Sequence, residues 1–357
     1  MVIKSVKNGL VGEQGMIKKL FILAFVMTFI VITLGALTRL LDAGLGCPDW
    51  PGCYGEITPP TSELSISDKY EHTDIGGVLN QGKAWMEMIH RYLATSLGLV
   101  ILLIAGLVQH YQSSNNRLLW CSRGLVLLVI LQGLFGMWTV TMKLWPQVVT
   151  LHLLGGLSVL GTIAYGLFLE TKKSALVLNE KSYSLARIGL VILVFQLALG
   201  GWTSSTYSGL ACPDFPTCQN SMLPDLKISE AFNVLEFNDA SYQGGQLSAQ
   251  ARVTVQVVHR IVALILTFIL LLLSWNLFQL KYKRLAASLI VFTAFQVSLG
   301  ILNAVLLLPL LLALLHNTGA VILLLALLNI NFKMKKISKL ENIEIKSNSE
   351  LPSSIGA

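Results

Sequence analysis

The chain has 357 residues, is 54% hydrophobic and only 13% charged, and carries a formal net charge of +7. So little charge over such a length excludes an ordinary soluble domain and leaves a polytopic membrane protein. The basic excess does not indicate a nucleic-acid partner, because the Lys and Arg residues sit at the termini and in alternate loops, as a topology signal requires.

In chain order, apolar runs long enough to span a bilayer (about 20 residues) fall at about 19–40, 87–109, 123–141, 148–170, 186–205, 253–277, 284–305 and 310–331. The N-terminal segment 1–18 is basic, with Lys4, Lys7 and Lys18, and Lys19 follows it directly. The first run lacks a small-residue cleavage site and continues into ordered motifs, so it reads as a retained helix. Basic residues recur at Arg117 and Arg123, in the 171–185 linker with Lys172, Lys173 and Lys181, at Arg187, at Lys281, Lys283 and Arg284, and in the 332–357 tail. Both termini are therefore expected in the cytoplasm, and a bacterial inner membrane fits best. The opposite face carries two long loops, about 41–86 and 206–252, and two short ones near 142–147 and 306–309. The tail is rich in Lys, Ser and Asn and is expected to be a disordered end.

The long loops carry matching segments, GLGCPDWPGCYG from Gly44 and GLACPDFPTCQN from Gly209. Cys47 and Cys212, like Cys53 and Cys218, lie 165 residues apart, while His152 and His316, like Gln132 and Gln296, lie 164 apart. His90 and His259 are separated by 169. These offsets point to a tandem duplication. The expected architecture is an all-α membrane protein with eight transmembrane helices in two pseudo-symmetric four-helix bundles, 19–170 and 186–331.

His90, His152, His259 and His316 each lie a few residues inside the outer end of an even-numbered run, at a similar depth. Within each half the two His-bearing helices run the same way, so their imidazoles can face one another across a bundle. Two opposed imidazoles suit haem iron, whereas two per half leave a tetrahedral zinc site short of ligands. The competing reading of each histidine is an interhelical hydrogen bonder, although polar side chains repeated in register within spans are costly and mark function. His72, in a loop, and His110, at a helix end, have no repeat partner and read as bland.

Arg91 and Arg260 follow the first histidine of each half and read either as partners of haem propionates or as arginines snorkelling to the headgroups. Glu87 stands three residues before His90, on the same helix face; Gln256 holds that place before His259. A carboxylate beside a haem can move protons and an amide cannot, which assigns the chemistry to the N-terminal half. Cys47–Cys53 and Cys212–Cys218 are expected to be disulfides in an oxidising compartment, with a redox-active dithiol as the alternative. Cys121 reads as an inert thiol near the cytoplasmic face.

Taken together, the duplicated four-helix units, Glu87-x-x-His90-Arg91, the histidines at the heads of spans 4, 6 and 8 and the paired outer cysteines resemble the haem A synthase family over about residues 19–331. The resemblance implies oxidation of the C8 methyl of haem O to a formyl group by successive hydroxylations, giving haem A for cytochrome oxidase. It implies that His90 and His152 flank the substrate haem O, that Glu87 is catalytic, and that His259 and His316 ligate a haem B cofactor. The implied partners are a haem O synthase and an electron donor, in a setting of membrane lipid. Two other readings of the residues are a quinone-linked dihaem electron carrier, which leaves the Glu87/Gln256 difference without purpose, and a thiol–disulfide redox protein, which leaves the aligned histidines unexplained. A transporter would need Gly- or Pro-broken helices at the midplane, and the sequence has no such pair.

Overall fold

The computed structural model describes residues 2–62, 79–171, 175–235 and 240–336. His72, Lys172, Lys173 and most of the 332–357 tail lie outside them. Eight helices long and apolar enough to cross a membrane dominate the described residues. They are α1 (Val2–Leu40), α2 (Gln81–Tyr111), α3 (Asn116–Thr141), α4 (Pro146–Glu170), α5 (Glu180–Ser205), α6 (Ala249–Gln279), α7 (Lys283–Val305) and α8 (Leu310–Lys333).

Several of these helices begin well before the apolar run that predicts them. The reason is capping. Asn80 accepts from the Lys83 N–H, Asn179 from Ser182 and Ser248 from Ala251, each cap being worth about 1 kcal/mol. The helices therefore extend beyond the hydrocarbon on polar turns that hydropathy does not register. The linker also differs from expectation. Leu176–Leu178 forms a short parallel strand with Met334–Lys336, so the tail is ordered for its first residues and pairs with the linker before leaving the described structure.

Lipid explains the composition of the helix surfaces. Large apolar side chains such as Leu99, Trp120, Leu127, Leu264, Phe268 and Trp275 face outward. Hydroxyls within the spans turn back on their own helices: Thr28, Thr33, Thr267, Ser274 and Thr293 each donate to the carbonyl four residues earlier. A bilayer offers them no water, so this local bond removes the cost of burial.

α1 packs on α2 and α4, α2 on α3, and α3 on α4; in the second half α5 packs on α6 and α8, α6 on α7, and α7 on α8. The same sequence of neighbours thus recurs. α4 meets α5, and α8 meets both α1 and α4, with an apolar core around Leu160, Leu193, Leu270 and Leu327 filling the interior there.

Local geometry recurs as well. The Ala43 N–H donates to the Thr38 carbonyl at 2.9 Å, as Ser208 does to Thr203. Asp42 and Tyr207, the corresponding turn residues, both have positive φ, 52° and 55°. Where the halves meet on the cysteine-loop side, counterpart touches counterpart. Arg39 donates to the Ser204 carbonyl at 2.6 Å and the Tyr207 hydroxyl to Asp42 at 2.5 Å, and both pairs are 165 residues apart. Arg39 also lies 4.1 Å from the centre of the Tyr207 ring.

Candidate functional site

Each of the four histidines leans on a glycine of a neighbouring helix. A β-carbon added at Gly35 on α1 would lie 3.0 Å from Cε1 of His90, and one at Gly136 on α3 would lie 3.6 Å from His152. The corresponding values are 3.6 Å for Gly200 on α5 against His259 and 3.1 Å for Gly300 on α7 against His316. Gly35 and Gly200 are 165 residues apart, Gly136 and Gly300 are 164 apart, so the glycines belong to the repeat. They let the imidazoles lie close to a helix backbone; at Gly35 and Gly300 even a β-carbon would crowd the ring, while at Gly136 and Gly200 it would make ordinary contact.

The histidines pair within halves. Within each half the two histidines sit on helices of the same bundle, His90 on α2 with His152 on α4, and His259 on α6 with His316 on α8. Nδ1 of His90 and of His152 is buried with no hydrogen-bond partner. Buried polar atoms ordinarily have one, so these two rings have no protein partner at Nδ1 to fix their orientation. Two histidines in each half, each bedded on a glycine, fit a haem held between them.

Glu87 lies under the first cysteine loop and is 5% exposed. One carboxylate oxygen accepts the Cys47 N–H at 2.9 Å and the other pairs with Arg91 at 2.5 Å. Arg91 in turn donates to the carbonyls of Asp49 at 3.0 Å and Gly52 at 2.5 Å. The loop is closed by the Cys47–Cys53 disulfide, and the Asp49 carboxylate accepts from the N–H groups of Tyr54 and Gly55 at 2.6 and 2.8 Å. The acid is thus buried, ion-paired and fixed to a cross-linked loop one helical turn from His90. Gly46 is required beside it, since a β-carbon there would meet the Lys83 backbone at 2.6 Å.

The second loop repeats this frame without the acid. Cys212 and Cys218 form a disulfide, and Asp214 accepts from the N–H groups of Gln219 and Asn220 at 2.7 and 2.9 Å. A bond from the Thr217 hydroxyl, together with these amides, pulls the Asp214 carboxyl down to about 2. Arg260 donates to the carbonyls of Thr217 and Cys212 at 2.8 and 2.7 Å. Gln256 stands where Glu87 stands, and its side-chain oxygen is buried without a partner. Both arginines therefore brace the cysteine loops, a role that their spacing from the histidines does not disclose.

Sequence reasoning passed over two further features. Gln196 on α5 lies against His259, and Gln296, recognised in the sequence only as a marker of the repeat, lies against His316. Of the remaining residues, Cys121 is a buried free thiol whose Sγ lies 3.4 Å from the Thr162 carbonyl. His110 packs edge-on to Tyr111. Neither approaches the paired histidines in sequence register or shares their repeat.

Residues 18–328 match the family model described as cytochrome oxidase assembly protein, COX15-CtaA. The chain is 43% identical over 318 residues to the haem A synthase of Shewanella oneidensis, covering 87% of this chain and 94% of that one. It is 28% identical over 323 residues to the haem A synthase of Hyphomonas neptunium, 85% and 88% of the two chains. Against the haem A synthase of Paracoccus denitrificans the figure is 27% over 340 residues, 87% and 86% of the two chains.

Proposed function

The chain belongs to the COX15-CtaA family of cytochrome oxidase assembly proteins, and from that membership and its site we propose that it is a haem A synthase, an oxidoreductase that converts haem O to haem A. The observation that carries the reading is the buried Glu87, held by Arg91 and the Cys47 N–H beside one histidine pair, with Gln256 in its place beside the other.

On this reading His90 and His152 hold haem O as substrate in the unit 19–170. Glu87 exchanges protons as an oxidant from outside the chain hydroxylates the C8 methyl twice and the resulting hydrated aldehyde loses water to give the formyl. A carboxylate can do this and return to its starting state, and the disulfide loop keeps it in place. Arg91 sets the charge around it and braces the loop; its positive charge, like that of Arg260, also suits a haem propionate. His259 and His316 hold haem B in the unit 186–331. When bound there, haem B supplies one-electron transfer, which needs no acid beside it. A haem O synthase delivers substrate and a separate donor exchanges electrons.

The division into two pseudo-symmetric units is supported by the recurring helix neighbours and by the contacts between counterparts, Arg39 with Ser204 and Asp42 with Tyr207. Residues related by a two-fold rotation meet only beside its axis, so that axis would pass between α1 and α5 at their outer ends. Parallel repeats of this kind share one orientation in the bilayer. The distribution of Lys and Arg then supports cytoplasmic termini and periplasmic cysteine loops in a bacterial inner membrane.

The test is expression in a host that makes haem O but no haem A, followed by extraction and chromatographic identification of the haems. Haem A is expected in the membranes, with haem B retained by the purified protein. Haem O left unconverted beside two equivalents of haem B would instead identify an electron carrier.

A further inference from the structure

We propose that Gln196 and Gln296 are positioning residues that fix His259 and His316 for iron ligation and make the C-terminal haem a resident group, while Val31, at the place of Gln196 in the first half, leaves the N-terminal site free to exchange its haem. The proposal rests on the reading that the C-terminal half holds haem B.

Gln196 Nε2 lies 3.2 Å from each ring nitrogen of His259 and donates to its carbonyl at 3.1 Å. Gln296 Nε2 lies 3.2 and 3.5 Å from the ring nitrogens of His316 and donates to its carbonyl at 3.0 Å. The side-chain oxygen of each glutamine is buried with no partner, a condition that destabilises the fold. A neutral imidazole that gives one nitrogen to iron carries an N–H on the other. That N–H needs an acceptor, and the acceptor fixes the tautomer and the ring plane. Rotation of either amide presents its oxygen to Nδ1, where it accepts the ring N–H in exchange for the bond its Nε2 gives the histidine carbonyl. The carbonyl it leaves still accepts the helical N–H four residues on.

The first half lacks this arrangement. Val31 lies 165 residues before Gln196 and has no amide side chain to set against His90. Gln132, the counterpart of Gln296, lies against Gly155 as Gln296 lies against Gly319, yet Nδ1 of His152 has no partner, and neither has Nδ1 of His90. Loss of such an outer partner typically weakens metal affinity about 10- to 100-fold. A site whose haem enters as substrate and leaves as product is served by that weaker hold. A site whose haem stays is served by the stronger one.

The experiment uses full-length protein in detergent, with haem loss to excess apomyoglobin followed by absorbance. Gln196→Leu and Gln296→Leu should release the C-terminal haem about 10- to 100-fold faster than the unaltered protein. Gln196→Glu keeps an acceptor and strengthens it, so haem should be retained with a lowered midpoint potential, because a carboxylate stabilises the ferric form through the imidazole. Val31→Gln should slow haem loss from the N-terminal site. If the Leu variants fold poorly, the Glu and Val31 variants decide: an unchanged potential together with unchanged N-terminal release overturns the proposal. His259→Ala separates the two readings. If it empties the C-terminal site while the glutamine variants behave as the unaltered protein does, the positioning role fails alone. If haem B remains without His259, the assignment of that site fails first.

Discussion

Replacing Glu87 by Gln removes one charge and keeps the shape, and the structure supplies its own control. In the folded protein Glu87 accepts two bonds, from Cys47 and from Arg91. A glutamine oxygen can still accept one of them. Breaking a buried ion pair outright costs about 3–5 kcal/mol when the partner charge is left alone. Arg91 is not left alone, because the Asp49, Pro51 and Gly52 carbonyls remain at 3.0, 3.3 and 2.5 Å. Arg260 lies one turn after Gln256 and is satisfied by the carbonyls of Cys212 and Thr217. The change therefore exchanges a charge-assisted bond, about 1.5–3 kcal/mol, for a neutral one of about 0.5–1.5. A loss of roughly 1–2 kcal/mol of stability follows, too little to empty the membrane of folded protein. Removing a proton-transfer group costs about 10²- to 10⁴-fold in rate, or about 3–5 kcal/mol of barrier.

Catalysis should thus fall far more than folding. The assay compares haem A formed per mole of purified protein with the haem B spectrum of the same sample. Haem A is expected to drop at least 100-fold while haem B and yield stay near those of the unaltered protein. Undiminished haem A formation by Glu87→Gln would refute the catalytic role. Joint loss of haem B and haem A would show that the carboxylate holds the fold instead.

Two further expectations follow from the geometry around the histidines and the loops. Gly300→Val should displace His316, since even a β-carbon there lies 3.1 Å from Cε1, and overpacking of this kind costs about 1–3 kcal/mol; the purified protein should lose haem B. Gly35→Val should act on His90 in the same way and abolish haem A formation with haem B kept, both read by pyridine haemochrome spectra. Asp214, held down to about 2 by Thr217 and the loop amides, gives its loop stability that is present above the ordinary carboxylate value near 4 and is lost as pH falls through about 2. Amide exchange at Gln219 and Asn220 should therefore stay slow down to about pH 4 and quicken below it, and Asp214→Asn should be fast throughout; identical pH profiles in the two proteins would disprove the assignment.

Much of this architecture is legible in the sequence because the bilayer imposes a length and a composition on every span. The Cys-x5-Cys loops are legible too, since the same pattern occurs twice. What fails is anything decided by a contact far along the chain. Glu87 and Arg91 stand one turn apart, and that spacing alone indicates an ion pair, yet the carbonyls of Asp49 and Gly52 that hold Arg91 lie about 40 residues away. Helix starts are misplaced where hydropathy ends before the cap does, as at Asn80. Gln196 is the clearest omission. An amide in a span is a costly residue, but only the packing of α5 against α6 shows that it faces His259.

A duplicated fold that binds two haems faces opposite demands in its halves. A substrate site must release what it has made, and it needs a proton-transfer group near the reacting carbon. A cofactor site must retain its haem through every turnover, and an ionisable group beside it would serve no step. The repeat meets both demands at matching positions. Glutamate is set against glutamine at 87 and 256, and valine against glutamine at 31 and 196. On the proposed division of labour, the first difference gives the N-terminal half its acid and the second gives the C-terminal half its hold on the ligating ring. The two exchanges run in opposite directions, on α2 and α6 in one case and on α1 and α5 in the other, one adding a reactive group to the first half and the other adding a supporting group to the second. Random drift between copies would not be expected to sort them so. A division of labour would, because a residue that tightens the substrate haem slows turnover, and the selective value of Gln196 therefore reverses in the half where Val31 stands.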